Sequence, residues 1–426
     1  MSLCSIKVNW SGPRGAGTVV MSVVKSVPFM TSVAQRGVTK LAAAFWVLGL
    51  TSAAGPGDSD NDAGSFVTLG GNPLVGSTDV CMLGMSGTAS ATCSIGAVAV
   101  AEMEQLLGRQ VSVTVLSRSP EQVGRLYANV SLLTGIQGSI FEAEDVARAC
   151  SGAQLAIFSS PYGVDTSGDM EAKSVQRILN GLEQAGVKKL LLTCAQVLTT
   201  TSDEGPVLQD RKIKDMLLQR VQTHAIEDYA IVQTCAWMET AFDNAAGMIN
   251  NHGVFLGHDF PKPVCWTRSS DIGFVTGLLA AQMLKLPQQA LSHHEYDVHD
   301  PSFYTSEQIL ATAALVKGAP IYGTGAWFYK LMVALQPVFE FFGFGRPVHL
   351  AKIFRHMLDY GYVPDLESSK ANQQAVFDLG FKPSTLQEYF ADILVKTGGN
   401  GTASHFHYSP ASPVGNDDGN DDDDDL

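Results

Sequence analysis

The stretch that decides the fold is Val80–Leu116, which reads VCMLGMSGTASATCSIGAVAVAEMEQLLGRQVSVTVL. It contains an apolar run at Val80–Leu83, a turn rich in Gly, Ser and Thr, a helical pattern at Ala97–Leu107 and a β-branched run at Val111–Leu116. Short apolar runs are typical of buried strands, and apolar residues at helical spacing indicate the helix that covers them. The stretch therefore predicts a β-α-β unit.

The alternation of strands and helices continues toward the C-terminus. Further strands are predicted at 132–136, 154–158, 189–193 and 229–233, and helices from about 142, at 169–185 and at 207–223. Such alternation forms a parallel sheet covered on both faces. Because the crossovers are right-handed, we predict an α/β fold with a doubly wound parallel sheet of the Rossmann type.

The regular pattern decays from about Met238. Helices predicted at 271–285, 306–316 and 384–396 suit a smaller, mainly helical lobe over the carboxyl ends of the strands, where ligands of this fold bind. We divide the chain into a targeting leader (1–57), a flexible linker (58–79), a core (about 80–235), a lobe (about 236–400) and a disordered acidic tail (401–426).

Charge is distributed unevenly along the chain. The net charge is −14, yet residues 1–57 hold five basic residues and no acidic one, while 416–426 hold seven Asp. An acidic body offers no field that attracts phosphate backbone, so we predict no nucleic-acid binding. The basic, Ser/Thr-rich leader is typical of a transit peptide, which favours a plastid over a mitochondrion, with the cytoplasm as the alternative.

Two features bear on the membrane and on redox state. The apolar run Leu41–Leu50 suits a signal-peptide core, but a spanning helix needs about 20 apolar residues, so we predict no stable membrane span. The seven Cys are scattered without a CxxC pair. That pattern favours reduced, mostly buried thiols over a disulfide framework.

The turn after the first strand predicts a dinucleotide site. Early glycines let the backbone approach a pyrophosphate, and a last glycine allows close packing between helix and strand. Here six extra residues separate Gly87 from Gly96, which either bulge outward or abolish the site. The predicted cofactor-binding residues of this turn are Gly84, Ser86, Gly87, Thr88 and Gly96.

The ends of later strands supply further candidates. Arg118 follows the second strand, where NAD-binding proteins place an acidic residue, so NADP(H) is favoured over NAD(H) because arginine suits a 2′-phosphate. A solvated surface arginine is the alternative. Ser159, Ser160 and Pro161 follow the fourth strand, where the fold presents groups to the cofactor, and Tyr162 is a candidate proton donor or stacking wall, or else part of a simple turn.

The chain resembles the NmrA-like branch of the atypical short-chain dehydrogenases/reductases over about 80–395. The resemblance is carried, in order, by GMSG, Ser117-Arg118, GSIFEAEDVARACSGAQLAIF, GVKKLLLT, YAIVQTCAWMETAF, SDIG and LGFKPSTLQEYF. It implies an NADP-binding fold in reductases of small aromatic or quinone-like substrates, or in redox-sensing regulators without turnover. Departures are Ser139 in place of a frequent Asp, Thr193-Cys194 in place of a usual Ser, and the missing Tyr/Lys pair of the wider superfamily.

The resemblance also implies a catalytic lysine on the helix after the fifth strand. Lys214 is the first candidate and Lys212 the second, against the alternative that both lie on a solvated face. Thr193 takes the place of the serine at the end of that strand. Hydride transfer needs a donor for the developing alkoxide or enolate, which a lysine supplies.

Three other segments invite interpretation. Trp237, Met238 and Glu239 are expected to line a pocket for an apolar or aromatic small molecule, unless they are core residues. The alternating residues of His293–Asp300 indicate an exposed strand, so we predict no metal site. The aromatic-rich segment 326–344 is predicted to be buried lobe core, with a surface for a protein partner as the alternative.

The leading hypothesis is an organellar oxidoreductase that transfers hydride from NADPH to a small carbonyl or quinone-type substrate. The alternative is a non-catalytic NADP(H)-responsive regulator or accessory subunit of a complex, which the missing Tyr/Lys pair and the inserted loop favour. A third hypothesis is a fold that has lost its cofactor.

Overall fold

The computed structural model describes residues 3–12, 15–24, 66–68, 78–85, 91–159, 170–196, 206–255, 262–285, 291–323, 327–341, 348, 351, 355 and 366–396. The chain separates into two units, Met1–Asp62 and Ala63–Leu426. In the first unit, β1 (Leu3–Gly12) and β2 (Gly15–Val24) form an antiparallel hairpin. This hairpin lies in the segment expected to be a leader, whose targeting role stays a prediction.

The second unit contains the remaining strands. They are β3 (Phe66–Thr68), β4 (Val80–Leu83), β5 (Val113–Ser117), β6 (Leu133–Gln137), β7 (Leu155–Ser159), β8 (Lys189–Gln196), β9 (Asp228–Thr234), β10 (Ala236–Trp237), β11 (Val254–Phe255), β12 (Trp266–Thr267), β13 (Glu295–Val298) and β14 (Tyr322–Gly323). Eight of them form one sheet in the order β13-β9-β8-β7-β4-β5-β6-β3. All neighbours are parallel except β3, which runs antiparallel to β6.

The described helices are α1 (Ala91–Leu107), α2 (Pro120–Leu126), α3 (Ala143–Cys150), α4 (Met170–Ala185), α5 (Pro206–Gln222), α6 (Met238–His252), α7 (Ser269–Lys285), α8 (Ser306–Lys317), α9 (Trp327–Ala334), α10 (Gln336–Phe341), α11 (Leu366–Asp378) and α12 (Leu386–Lys396). Apolar residues of α1, α2, α7 and α11 pack on one face of the sheet, and those of α3, α4 and α5 on the other. The doubly wound parallel sheet predicted from the sequence is confirmed.

The strand order locates the ligand edge of the sheet. Chain order runs outward from β4 through β5 and β6 on one side, and from β7 through β8 and β9 on the other. The direction of winding therefore reverses between β4 and β7, and in this fold a crevice opens at the carboxyl ends of the strands at that point. β4, β5 and β7 are buried along their whole length, as strands covered on both faces must be.

The lobe has its own apolar core, whose largest members are Phe242, Phe255, Trp266, Tyr389 and Phe390. Buried carboxylates attach α12 to this core. The Asp271 carboxylate accepts hydrogen bonds from the Ser384 backbone (2.6 Å) and side chain (3.0 Å), and Asp300 accepts one from the backbone N–H of Leu386 (2.7 Å). Burial raises the pKa of Asp271 to about 6.

The structure corrects the expectation that the cysteines are reduced thiols. Cys81 of β4 is bonded to Cys150 at the end of α3, with 5.2 Å between the Cα atoms, and Cys235 is bonded to Cys265, with 5.4 Å between them. The partners are 69 and 30 residues apart in sequence, so no local spacing marks them as pairs. The fold brings them together by packing α3 on β4 and by joining the end of β9 to the lobe.

Two further expectations are corrected in the C-terminal part. The strand β13 is mostly buried, because α11 packs on it: Asn372 donates a hydrogen bond to Asp297 (3.1 Å), and His299 lies 3.2 Å from the Ser369 hydroxyl. The alternation of polar residues therefore reflects a buried hydrogen-bonded network and not an exposed strand. In 326–344, Phe339 is buried as expected, but Phe341 is 84% exposed because it lies on the outer side of α10.

Candidate functional site

The turn after β4 passes directly over the end of β7. Gly84 has φ +75°, and a Cβ built on it would lie 2.3 Å from the carbonyl oxygen of Ser159. Only glycine fits here, since the backbone is left-handed and the space is filled by another backbone. The predicted role of Gly84 thus has a geometric basis: the backbone comes as close as possible to the reversal point of the sheet.

Ser159, the last residue of β7, has a buried hydroxyl for which the described residues supply no hydrogen-bond partner. A buried hydroxyl without a partner is costly, and it is commonly explained by a ligand or water that supplies one. On the neighbouring strand β8, Thr193 is also buried, and its hydroxyl lies 3.0 Å from that of Thr276 on α7. Two of the predicted residues, Ser159 and Thr193, are therefore paired in register at the same edge.

The helix after the turn begins earlier than the sequence indicated. Residues 91–95, which we expected to be part of an insertion in the loop, form the first turn of α1. Gly96 then lies within the helix, and a Cβ there would lie 2.2 Å from the hydroxyl of Tyr127. The predicted close packing at Gly96 is real, but its partner is a tyrosine from the segment after α2 and not a strand.

Arg118 lies immediately after β5 and is exposed. Within the described ranges, no carboxylate or carbonyl pairs with its guanidinium. Beside it, the Ser117 hydroxyl accepts a hydrogen bond from the backbone N–H of Ser119 (3.1 Å), which fixes the start of this loop. Arg118 therefore lies at the carboxyl end of β5 with an exposed side chain, and its role in binding a cofactor stays a prediction.

Lys214 lies on α5 and forms an ion pair with Glu295 of β13 (2.5 Å), in which both side chains are 27% exposed. Glu295 also accepts a hydrogen bond from Gln233 of β9 (3.2 Å). The lysine thus contacts β13, the outermost strand of the sheet beside β9. Its catalytic role stays a prediction. Other predicted residues lie outside the described ranges: Ser86, Gly87, Thr88, Ser160, Pro161 and Tyr162.

The residues after β9 contribute mainly to the lobe. Met238 is buried, and Glu239 accepts hydrogen bonds from the backbone N–H (3.0 Å) and hydroxyl (2.8 Å) of Ser269 at the start of α7. Burial raises the pKa of Glu239, and the hydrogen bonds from Ser269 oppose that rise. Glu239 therefore caps α7, while the predicted pocket role of Trp237 stays a prediction.

A surface cavity of about 520 Å³ lies beside α2. Its wall contains Tyr127 but none of the predicted cofactor or catalytic residues; the lining residues are Glu121, Gly124, Arg125, Tyr127, Ala128, Val130 and Leu133. It is open to solvent, and neither Gly84 nor Ser159 lines it. We place the candidate site at the strand ends, because the fold rule and the unpartnered Ser159 hydroxyl both point there.

A family model described as NAD(P)H-binding matches residues 92–237, which run from α1 to β10. The chain contains an NAD(P)H-binding domain. The match confirms the predicted cofactor class, and both the match and the fold agree with the resemblance drawn from the sequence. The Gly84 turn lies just before the matched residues. No curated protein matches the chain in sequence.

Solved structures share the fold of this NAD(P)H-binding domain. An NADPH-dependent quinone oxidoreductase from Escherichia coli, complexed with NADPH, is 17% identical with a TM-score of 0.53, covering 74% of this chain and 99% of its own. A triphenylmethane reductase from Citrobacter, complexed with NADP(H), is 11% identical with a TM-score of 0.54, covering 74% and 100%. A nucleoside-diphosphate-sugar epimerase from Staphylococcus aureus is 13% identical with a TM-score of 0.54, covering 74% and 99%.

Length and apolar character decide whether a helix can cross a bilayer. Among the described helices, none is long and apolar enough to do so.

Proposed function

We propose that the protein is an NADPH-dependent oxidoreductase that reduces a small carbonyl or quinone-type substrate. The observation that supports this most directly is the pair Gly84 and Ser159: a glycine-only turn lies over a buried hydroxyl that lacks a partner among the described residues, at the reversal point of the sheet. The matched NAD(P)H-binding model supports the same cofactor class.

The residues at this edge fit a dinucleotide. The Gly84 turn leads into α1, whose N-terminal end favours a pyrophosphate because its free N–H groups and dipole attract anions. Ser159 would give its hydroxyl to the cofactor at the end of β7, and Arg118 would pair with a 2′-phosphate, which selects NADPH over NADH. When bound, the cofactor supplies a hydride.

The chain must then supply a cation or a proton at the substrate oxygen. Lys214 is the proposed group: its ammonium, which forms an ion pair with Glu295, would stabilise the developing negative charge on the substrate oxygen. Ser159 at the end of β7 and Thr193, its register partner on β8, would orient the reacting groups.

Steady-state turnover tests the proposal. The full-length protein is mixed with NADPH and a panel of apolar quinones and enones, and oxidation is followed at the NADPH absorbance band. We expect turnover with at least one member, with a preference for NADPH over NADH. Saturable NADPH binding without turnover on the whole panel would contradict the oxidoreductase assignment and favour a regulatory role.

A further inference from the structure

Tyr127 connects the cofactor turn to two other parts of the core. It follows α2 directly, is only 1% exposed, and its hydroxyl donates a hydrogen bond to the carbonyl oxygen of Met85 (2.9 Å) in the turn after β4. No local sequence pattern indicates this contact, because residues 85 and 127 are far apart in the chain.

The hydroxyl reaches Met85 by crossing α1 at a glycine. A Cβ at residue 96 would lie 2.2 Å from the Tyr127 oxygen and 3.0 Å from its Cζ. Any other residue at 96 would displace the tyrosine, since real Cβ atoms do not approach other atoms so closely. The absence of a side chain at Gly96 therefore leaves the space that the Tyr127 hydroxyl occupies. From that position the hydroxyl donates to the Met85 carbonyl and fixes it.

We propose that Tyr127 is a positioning residue for the cofactor pyrophosphate; this rests on the proposed NADPH function. By holding the Met85 carbonyl in place, the buried Tyr127 hydroxyl fixes the start of the turn that would bind the phosphates. The hydroxyl contributes preorganisation, which appears as cofactor affinity.

The first test removes the hydroxyl alone. Tyr127→Phe keeps the buried ring, so the variant should fold and bind NADPH about three- to tenfold more weakly by calorimetry, the range expected for one lost hydrogen bond. Tyr296→Phe is the matched control. Tyr296 is 3% exposed, and its hydroxyl also donates to a backbone carbonyl, that of His293 (2.9 Å), but far along the sheet at β13. Its NADPH affinity should equal that of the wild type.

The second test uses the fit between residues 96 and 127. Gly96→Ala should weaken NADPH binding and lower the melting temperature, because the added methyl group meets the tyrosine hydroxyl. Tyr127→Phe removes the hydroxyl that the added methyl group meets. Gly96→Ala should therefore reduce NADPH affinity and melting temperature less in the Tyr127→Phe variant than in the wild type. Such non-additivity is the signature of direct contact.

The outcomes separate the two proposals. If Tyr127→Phe and Tyr296→Phe lose similar stability and both keep wild-type NADPH affinity, Tyr127 is only structural and this inference is overturned. If the folded wild-type protein binds no NADPH, the proposed function fails and the inference fails with it. The inference is supported if Tyr127→Phe weakens NADPH binding while Tyr296→Phe does not, and if Gly96→Ala has a smaller effect in the Tyr127→Phe background.

Discussion

Gly84 and Ser159 lie in backbone contact: a Cβ on residue 84 would be 2.3 Å from the Ser159 carbonyl oxygen. This contact joins the turn after β4 to the end of β7, the two strands between which the winding of the sheet reverses. Because the neighbouring Ser159 hydroxyl is buried and has no partner among the described residues, this contact is the position at which we propose that the cofactor binds.

The first prediction concerns the shape of the turn at Gly84. Gly84→Ala should lose NADPH binding and destabilise the fold by roughly 2–4 kcal/mol, from a left-handed backbone strain of about 1 kcal/mol plus displacement of a neighbouring strand end. Gly152→Ala is the control, since Gly152 has φ +76° but open space around its Cβ position. Urea unfolding and calorimetry would measure both. Equal effects of the two substitutions would show that the contact with Ser159 has no consequence.

The second prediction concerns cofactor choice. Arg118→Ala should raise the Kd for NADPH about ten- to a hundredfold, the worth of a charge-assisted hydrogen bond, and leave the Kd for NADH unchanged. Arg125→Ala, which removes another exposed arginine on the neighbouring helix α2, should affect neither. If Arg118→Ala raises the Kd for NADPH and the Kd for NADH by the same factor, the 2′-phosphate assignment is wrong.

The third prediction concerns Lys214. Lys214→Ala should abolish turnover while NADPH affinity is kept, whereas Glu295→Gln, which removes the other half of the ion pair, should reduce turnover only in part. A partly exposed ion pair contributes about 0–1 kcal/mol to stability, so neither variant should melt much earlier than the wild type. Full activity of Lys214→Ala would leave the lysine a purely structural role.

The fourth prediction concerns pH. Burial raises the pKa of Asp297 from 3.8 to about 6 in the native protein, where Asn372 donates to it and Glu295 and Lys214 lie nearby. Between pH 3.8 and about pH 6, the Asp297 carboxyl is therefore protonated in the native state and ionised in the unfolded state. Its protonation stabilises the native state fully below about pH 4, and this stabilisation is lost as the pH rises through about 6. Compared with Asp297→Asn, the wild type should gain up to about 3 kcal/mol between pH 7 and pH 4.

Unfolding in urea across that pH range would measure the effect. Asp378→Asn, which changes an exposed carboxylate of α11, is the control for the loss of a charge. A constant difference between wild type and Asp297→Asn at all pH values would contradict the assignment.

The fifth prediction concerns the cysteines. The denatured protein should gain at least four titratable thiols on reduction, two from each of the described pairs Cys81–Cys150 and Cys235–Cys265. Breaking the first bond should destabilise the fold by about 4 kcal/mol, because it closes a long loop in the unfolded chain. A thiol count that does not change on reduction would restore the expectation of free cysteines.

Sequence alone predicted the sheet well, for a physical reason. Strands buried on both faces are continuous apolar runs, and right-handed crossovers leave few ways to order them, so β4, β5, β7, β8 and β9 were located to within a few residues. The strand Phe66–Thr68 was missed because it is short and lies in a Gly-rich segment. The start of α1 was placed too late, since Thr92, Cys93 and Ser94 are weak helix formers.

The candidate site was predictable only where backbone geometry depends directly on residue type. Gly84 was chosen as a candidate because a tight turn after a strand requires glycine, and Arg118 because residues just past the second strand of this fold lie beside the cofactor ribose; the role of Arg118 stays a prediction. Tyr127 and the partners of Cys81 and Lys214 depend on contacts between distant segments, and no local pattern encodes them. The Glu295 ion pair, for example, exists because β13 joins the sheet beside β9.

Calorimetric titration of the full-length protein with NADPH and NADH, run on wild type and Gly84→Ala, tests the central claim most directly. We predict saturable one-to-one NADPH binding to the wild type, binding of NADH that is weaker by about tenfold or more because it lacks the charge-assisted contact at Arg118, and no measurable NADPH binding to Gly84→Ala. Failure of the folded wild type to bind NADPH, or equal NADPH affinity in the two proteins, would contradict a cofactor site built on Gly84 and Ser159.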